Sequence, residues 1–311
     1  MLAAFLTTIL FSISAVCGNR TAKLLGGTEA NFARLCVAAI LLAIYGHTLG
    51  GGLAGSAFWI FFVSGCIGFG IGDMALFQAL PRLGSRLSVL LTLCLSSPLA
   101  ALIEWRWLQT QLSMAEIVCA LVILAGVAVA LAPGGHVHIA RHDLWWGLSF
   151  GLLASICQAL GAVLSRKGFA IAQAAGENID GITAAYQRIL GGVLLGAAVF
   201  AVVKYNLRSA RPGPLPGQGE EGVEHQASPW RRAWPLVLLN GLAGPALGVS
   251  CYQWALKTMP TGVVLPIVAL TPIVIIPFSF YLEGERPGKR SLLGGAMAVA
   301  GAAALAWVKS S

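Results

Sequence analysis

Apolar runs long enough to cross a bilayer recur from one end of this sequence to the other, and that recurrence restricts the fold more than any motif in it. A hydrocarbon core about 30 Å thick is crossed by about 20 apolar residues in a helix. No water reaches that depth, so a crossing segment must satisfy its own backbone groups, which a helix does internally. Ten segments can be drawn, at about 2–18, 30–49, 57–80, 86–104, 114–132, 143–165, 182–204, 234–256, 262–282 and 291–308. Only 10% of the residues are charged, where a soluble domain carries about a quarter. The expected class is an all-α membrane protein with ten transmembrane helices.

Several other readings lose their footing at once. Nothing basic precedes Arg20, so the first run lacks the charged start of a secretory signal and is expected to remain as an uncleaved span. Seven cysteines lie scattered in or beside apolar runs without a C-x-x-C pair, as small hydrophobes do, so neither a disulfide frame nor a metal cluster is implied. The net charge of +8 reads as loop charge that orients a membrane protein, not as a nucleic-acid footprint. No phosphate-binding G-x-x-x-x-G-K-[ST] loop is present, which removes ATP-driven pumping by this chain itself. No cofactor is expected.

The chain repeats itself. Gly68-Phe-Gly-Ile-Gly72 leads to Ala79-Leu80, a short turn, and Ser97-Pro98 in the next run; Gly244-Pro-Ala-Leu-Gly248 leads to Ala255-Leu256, a short turn, and Thr271-Pro272. Val122-Ile-Leu-Ala-Gly126 matches Val299-Ala-Gly301, Ser12 with Gly18 and Lys23 matches Ser155 with Gly161 and Arg166, and Phe32-Ala-Arg34 matches Tyr186-Gln-Arg188. Agreement in the same order across five helices divides the chain into repeats 1–133 and 143–311, joined by a linker at 134–142. Residues 206–232, rich in Pro, Gly and Glu, read as a flexible extramembrane loop within the second repeat. Five helices per repeat is an odd number, so the second repeat enters the membrane upside down. Inverted repeats have two related packings, one open to each side, which is the mechanical basis of alternating access.

Five-plus-five organisation, the Gly-rich third helix ending in Ala-Leu, the small-residue–Pro step in helices four and nine, and Tyr281-Leu-Glu-Gly-Glu285 before the last helix resemble EamA-type members of the drug/metabolite transporter superfamily. The resemblance covers essentially the whole chain. It implies a ten-helix carrier that exports small organic metabolites or drugs through a cavity between the halves, in the cell (inner) membrane. Trp107-Leu-Gln-Thr-Gln111 stands where the family has a Leu-Gly-Glu element, so that glutamate is missing from the first half.

Asp73 is the first candidate transport residue, because an acid inside a span costs ~2.5–3.5 kcal/mol on insertion scales. It suits a proton site or a cation-binding site, or equally a structural pair with Arg34 from the same membrane side. The repeat puts Val249 opposite Asp73, which marks the acid as something other than symmetric scaffold. Arg34 and Arg188, at matching positions, suit attraction of an anionic substrate, an architectural role, or snorkelling to headgroups. Gln78, Gln158, Tyr252 and Gln253 need polar partners, from another helix or from substrate in a wet cavity. Trp254 and Phe77 suit an apolar cavity wall or a lipid-facing surface. Pro98 and Pro272 each remove a helical hydrogen bond at matching places, which points to interrupted helices at a binding site; Pro266 and Pro277 add to the bending of helix nine. His136, His138 and His142 are too few for a metal site without Cys or Glu. Glu104 with Trp105 and Trp107 reads as an interfacial belt, and Glu283, Glu285, Arg286, Lys289 and Arg290 read as a solvated loop.

Basic residues sort unevenly between the two sides. Arg20, Lys23, Arg82, Arg86, Arg141 and most others lie opposite the termini, while Arg106, Arg166, Lys167, Lys257 and Lys309 share the terminal side. Positive-inside reasoning therefore puts both termini outside, whereas the family resemblance implies both inside. The functional expectation is secondary transport by alternating access, with proton coupling through Asp73. Partners are a small-molecule substrate and membrane lipid, with no nucleic acid, in a monomer or homodimer. Rival readings are a lipid-linked-sugar flippase of similar fold and, further off, a membrane-embedded transferase, which would need clustered carboxylates or histidines. A channel would need a ring of charges or a filter motif.

Overall fold

A computed structural model describes residues 1–131, 140–209, 229–276 and 289–310, in helices and short connections with no strand among them. The helices are α1 (Leu2–Leu25), α2 (Gly27–Thr48), α3 (Phe58–Ser85), α4 (Leu87–Leu108), α5 (Met114–Leu131), α6 (Arg141–Ala174), α7 (Gly181–Ser209), α8 (Pro229–Thr258), α9 (Thr261–Ile276) and α10 (Lys289–Ser310). Among the described residues α1–α4 and α6–α8 are long and apolar enough to cross a membrane, while α5, α9 and α10 carry shorter apolar stretches. His136, His138, Pro277, Glu283, Glu285, Arg286, most of the 134–142 linker and most of the 206–232 loop lie outside the described residues.

Helix ends depart from the expected ones wherever polar residues continue a helix beyond its apolar stretch. The α6 helix runs to Ala174 instead of 165, so its 34 residues span about 51 Å. The expected turn before residue 86 shrinks to a single break at Gly84, whose φ of 78° is open to glycine and strained for other residues.

Polarity is sorted as lipid demands. Ile40, Ile44, Leu102, Leu121 and Leu194 are exposed, while Thr8, Ser12, Asn31, Ser64 and Ser165 are buried. Apolar side chains gain nothing by leaving hydrocarbon, so helices here associate through small residues and hydrogen bonds. Ser64 donates to the Gly161 carbonyl at 2.7 Å and joins α3 to α6, while Ser165 donates to the same carbonyl from within α6 at 2.9 Å. Thr8 and Ser12, one turn apart on α1, donate to the Ile267 and Thr271 carbonyls of α9, each at 3.1 Å.

The closest approaches come from glycines. A Cβ on Gly65 of α3 would stand 1.7 Å from the Arg188 carbonyl oxygen of α7, and one on Gly241 of α8 would stand 3.0 Å from the Arg34 carbonyl oxygen of α2. One turn on, Gly68 faces the Arg188 guanidinium and Gly244 the Arg34 guanidinium. Farther along, Gly72 meets Cys157 of α6, and Gly248 meets Phe11 of α1. Each of these three glycines of α3 thus has its counterpart in α8, and the members of each pair touch counterpart helices. The outermost pair behaves likewise: Gly126 of α5 packs on the Ala298 backbone of α10, and Gly301 of α10 packs on Ile123 of α5.

Just beyond Gly65 and Gly241, the later glycines of each set lie in a wider coil. Cys66–Gly72 and Leu242–Gly248 are π-helical, with the Asp73 N–H reaching the Gly68 carbonyl and the Val249 N–H reaching the Gly244 carbonyl. Bonds to the fifth residue back insert one extra residue per turn and re-aim the side chains beyond the coil. Pro245, which has no N–H, falls inside the second of these coils.

Gly65→Ala is expected to lower the melting temperature of the detergent-purified protein by several degrees, because a methyl at that spot overlaps backbone and overpacking costs about 1–3 kcal/mol or more. Gly196→Ala is the control, since its Cβ would meet only Phe32 and Leu35, at an ordinary 3.5 and 3.7 Å. Equal melting temperatures for the two variants, followed by intrinsic fluorescence, would count against the glycine crossings as the principal packing constraint.

Candidate functional site

Between the two π-helical coils a cavity of about 90 Å³ runs among α1, α2, α3, α4, α6, α7, α8 and α9. Among the described residues, neither α5 nor α10 contributes to its lining. Its wall is mostly apolar, including Phe11, Phe69, Phe77, Leu80 and Leu93, with a few polar side chains placed among them. That combination of bulk and sparse polarity is the usual make-up of a small-molecule site.

Three charged side chains among the described residues line it: Arg34, Asp73 and Arg188. The π-helical coil of α3 turns Asp73 toward α2, where its carboxylate forms an ion pair with Arg34. Arg34 also donates from Nε to Asn31 Oδ1 at 3.0 Å and rests over the Phe77 ring at 4.5 Å, so its guanidinium is well provided for. Arg188 is not. It is 3% exposed, stacks over Phe69 at 5.2 Å, and leaves Nε and Nη1 without hydrogen-bond partners among the described residues. Neither arginine reaches the surface, which excludes snorkelling to headgroups in this conformation.

The uncharged candidates divide. Gln158 and Tyr252 line the cavity, and the buried Tyr252 hydroxyl, with Gln158 close by, makes no hydrogen bond of ordinary geometry among the described residues. Gln78 lies away from the cavity: its amide donates to Thr28 at 3.3 Å, and its backbone and side-chain oxygens accept from Arg82. Gln253 is fully buried beside Tyr252 but does not line the cavity, and its amide has no partner among the described residues. Trp254 is half exposed on the outer surface and contributes nothing to the cavity wall; Phe77 does.

The two prolines are not equivalent. Helix α9 is interrupted at 269–270, just before Pro272, and Thr271 Oγ1 donates at 2.6 Å to the Val268 carbonyl, which Pro272 leaves without an N–H. Thr271 also lines the cavity. Pro98, in contrast, sits exposed within continuous α4. Of the matched interruptions expected from sequence, the helix breaks beside Pro272 and carries through at Pro98.

A second polar centre was not anticipated. Glu104, in the last turns of α4, is 1% exposed and so is buried among helices and not on the outer surface. Its carboxylate accepts from the Thr261 N–H at 2.6 Å, from the Thr261 hydroxyl, from Thr110 at 3.2 Å and from Arg166 Nε at 3.1 Å. Arg166 Nη1 continues to the Leu256 carbonyl at 2.8 Å. Glu104 thus caps the N-terminus of α9, where free N–H groups and the helix dipole favour an anion, and joins α4, α6, α8 and α9. The neighbouring Trp105 and Trp107 are indeed about half exposed. His142 is at the surface, accepting from Trp146 Nε1 at 3.0 Å.

Comparison with known proteins adds three findings. A model of the EamA-like transporter family matches residues 1–132 and 145–307. Among solved structures, a crystal structure of a protein 18% identical to this chain superposes with a TM-score of 0.69, covering 99% of this chain and 96% of the other, a likeness of fold. Among curated proteins there is no match.

Asp73→Ala is expected to destabilise the protein by about 3–5 kcal/mol, the usual penalty for leaving one member of a buried ion pair alone. The double variant Arg34→Met/Asp73→Leu, which removes both charges, is expected to recover most of that loss. Thermal unfolding of the purified variants checks this; a double variant as unstable as the single one would mean the pair does not account for the effect.

Proposed function

Because the chain belongs to the EamA-like transporter family, and so is a multi-pass membrane transporter of the drug/metabolite superfamily, we propose that it is a secondary transporter exporting small organic solutes by alternating access. The observation that carries this reading is the cavity at the crossing of matched helices, lined, among the described residues, by an ion pair and one further cation in a mostly apolar wall.

In this reading ten helices cross the membrane as two inverted repeats, 1–133 and 143–311. The exchange of contacts supports it: Gly65 with Arg188 against Gly241 with Arg34, and Gly126 with Ala298 against Gly301 with Ile123. Contacts related in this way are those of a pseudo-two-fold axis, and two packings that interchange the repeats have similar energies. Substrate reaches the cavity from one side, the repeats rock, and the Glu104 centre is the closure at one end. Asp73 couples the cycle to protons, because protonation would release Arg34 and alter the cavity's charge at the point where the helices cross. The cell membrane is the site of action, with the chain acting as a monomer or homodimer.

Reconstitution into proteoliposomes tests this directly. Solutes that thermally stabilise the purified protein, as ligands of the folded state do, are expected to exchange in counterflow across the vesicle membrane. With Asp73→Asn, exchange is expected to continue while accumulation driven by a pH gradient disappears. If no stabilising solute exchanges, the carrier reading falls; if accumulation persists in Asp73→Asn, the coupling site lies elsewhere.

A further inference from the structure

Arg34 and Arg188 have the same place in the two repeats and unequal company. Asn31 and Asp73, which hold Arg34, correspond through the repeat to Ala185 and Val249. Both replacements are apolar, so the architecture that presents Arg188 omits the acid and the amide that its counterpart receives. The guanidinium is buried, aimed into the cavity, and short of partners on two nitrogens among the described residues. Of the charged side chains among the described residues that line the cavity, two are cationic and one is anionic, leaving one positive charge unanswered. A buried charge is tolerated when something pairs with it.

We propose that the missing partner is the substrate: a small organic monoanion, whose acid group is held by Arg188 with the Tyr252 hydroxyl and the Gln158 amide. Its apolar body lies against Phe11, Phe69 and Leu93, which line the same cavity. Arg suits a carboxylate because its planar fork presents fixed donors to two oxygens. Cationic solutes are disfavoured, since the acid in the described wall is already committed to Arg34. The inference rests on reading this cavity as the transport site, and it names the class of solute that enters.

Three probes of one shape decide it: phenylacetate, phenylacetamide and phenethylamine, each added at equal concentration and constant sodium chloride to the purified protein during thermal unfolding. Phenylacetate alone is expected to raise the melting temperature. Two variants locate the effect. Val249→Asp supplies the acid that the repeat omits, and is expected to melt at or above the wild-type temperature while losing the response to phenylacetate. Arg188→Gln removes the charge and is expected to weaken phenylacetate binding roughly 30-fold or more. The proposal is overturned if the amide or amine stabilises as well as the carboxylate, if phenylacetate has no effect, or if its effect survives in both variants. Stabilisation by phosphatidylglycerol and not by phenylacetate overturns it too, since the site would then be a lipid-headgroup site. Counterflow separates this inference from the carrier reading. Exchange of neutral or cationic solutes without carboxylates defeats the anion inference alone; Arg188-dependent binding of phenylacetate without exchange defeats the carrier reading alone.

Discussion

The backbone approach of α3 to α7 and of α8 to α2 is the constraint on which everything else in this protein depends. At Gly65 and Gly241 the facing carbonyls belong to Arg188 and Arg34, the two residues whose side chains project into the cavity. Close packing and the placement of charge are therefore one event. Without a side chain at those glycines the helices approach until the arginines stand beside Gly68 and Gly244, the first glycine of each coil, and the cavity opens directly beyond. In lipid no general hydrophobic force draws helices together, so such contacts between small residues carry the assembly.

Much of this was legible in the one-dimensional pattern. The repeat was visible in Gly68/Gly72 against Gly244/Gly248, and Arg34 against Arg188, because small residues and charges are rare enough in apolar runs to stand out. The asymmetry of Asp73 against Val249 was equally visible. What could not be read was coil geometry: no residue requires a π-helical turn, and the glycines that permit it also permit an α-helix. Nor could Glu104 be placed. A carboxylate at the end of an apolar run next to tryptophans has the pattern of an interfacial belt, and only the approach of Thr261, more than a hundred residues away, makes it a buried cap. Trp254 stayed open between cavity wall and lipid face for a related reason, since a helix with polar and apolar residues interleaved does not declare which face meets lipid. Pro98 and Pro272 look alike in sequence, yet only α9 has a threonine that answers the orphaned carbonyl and a true break.

The protein keeps its polar work in two places with different chemistry. Around Glu104 the carboxylate is fully answered, and the centre holds four helices together. Around Arg188 donors are left open inside an apolar wall. A closed network favours one conformation, whereas unsatisfied donors favour whatever ligand completes them. That contrast makes the first a fastening and, under the proposal above, the second a receptor. It also assigns α5 and α10, which touch only the rim of the bundle and contact each other closely, to a supporting role outside the cavity.

The π-helical coils have a consequence for how such a chain can change over time. Each stores a surplus residue within an otherwise regular helix. Loss of a single residue anywhere in Cys66–Gly72 would let the coil relax to an α-helix without breaking it, and would turn the upstream surface by about 100° relative to the downstream one. An insertion or deletion, ordinarily ruinous inside a membrane span, becomes here a small rotation that swaps which side chains look inward. Length variation at this point is thus a route by which relatives of this protein could exchange one cavity lining for another while keeping the same frame.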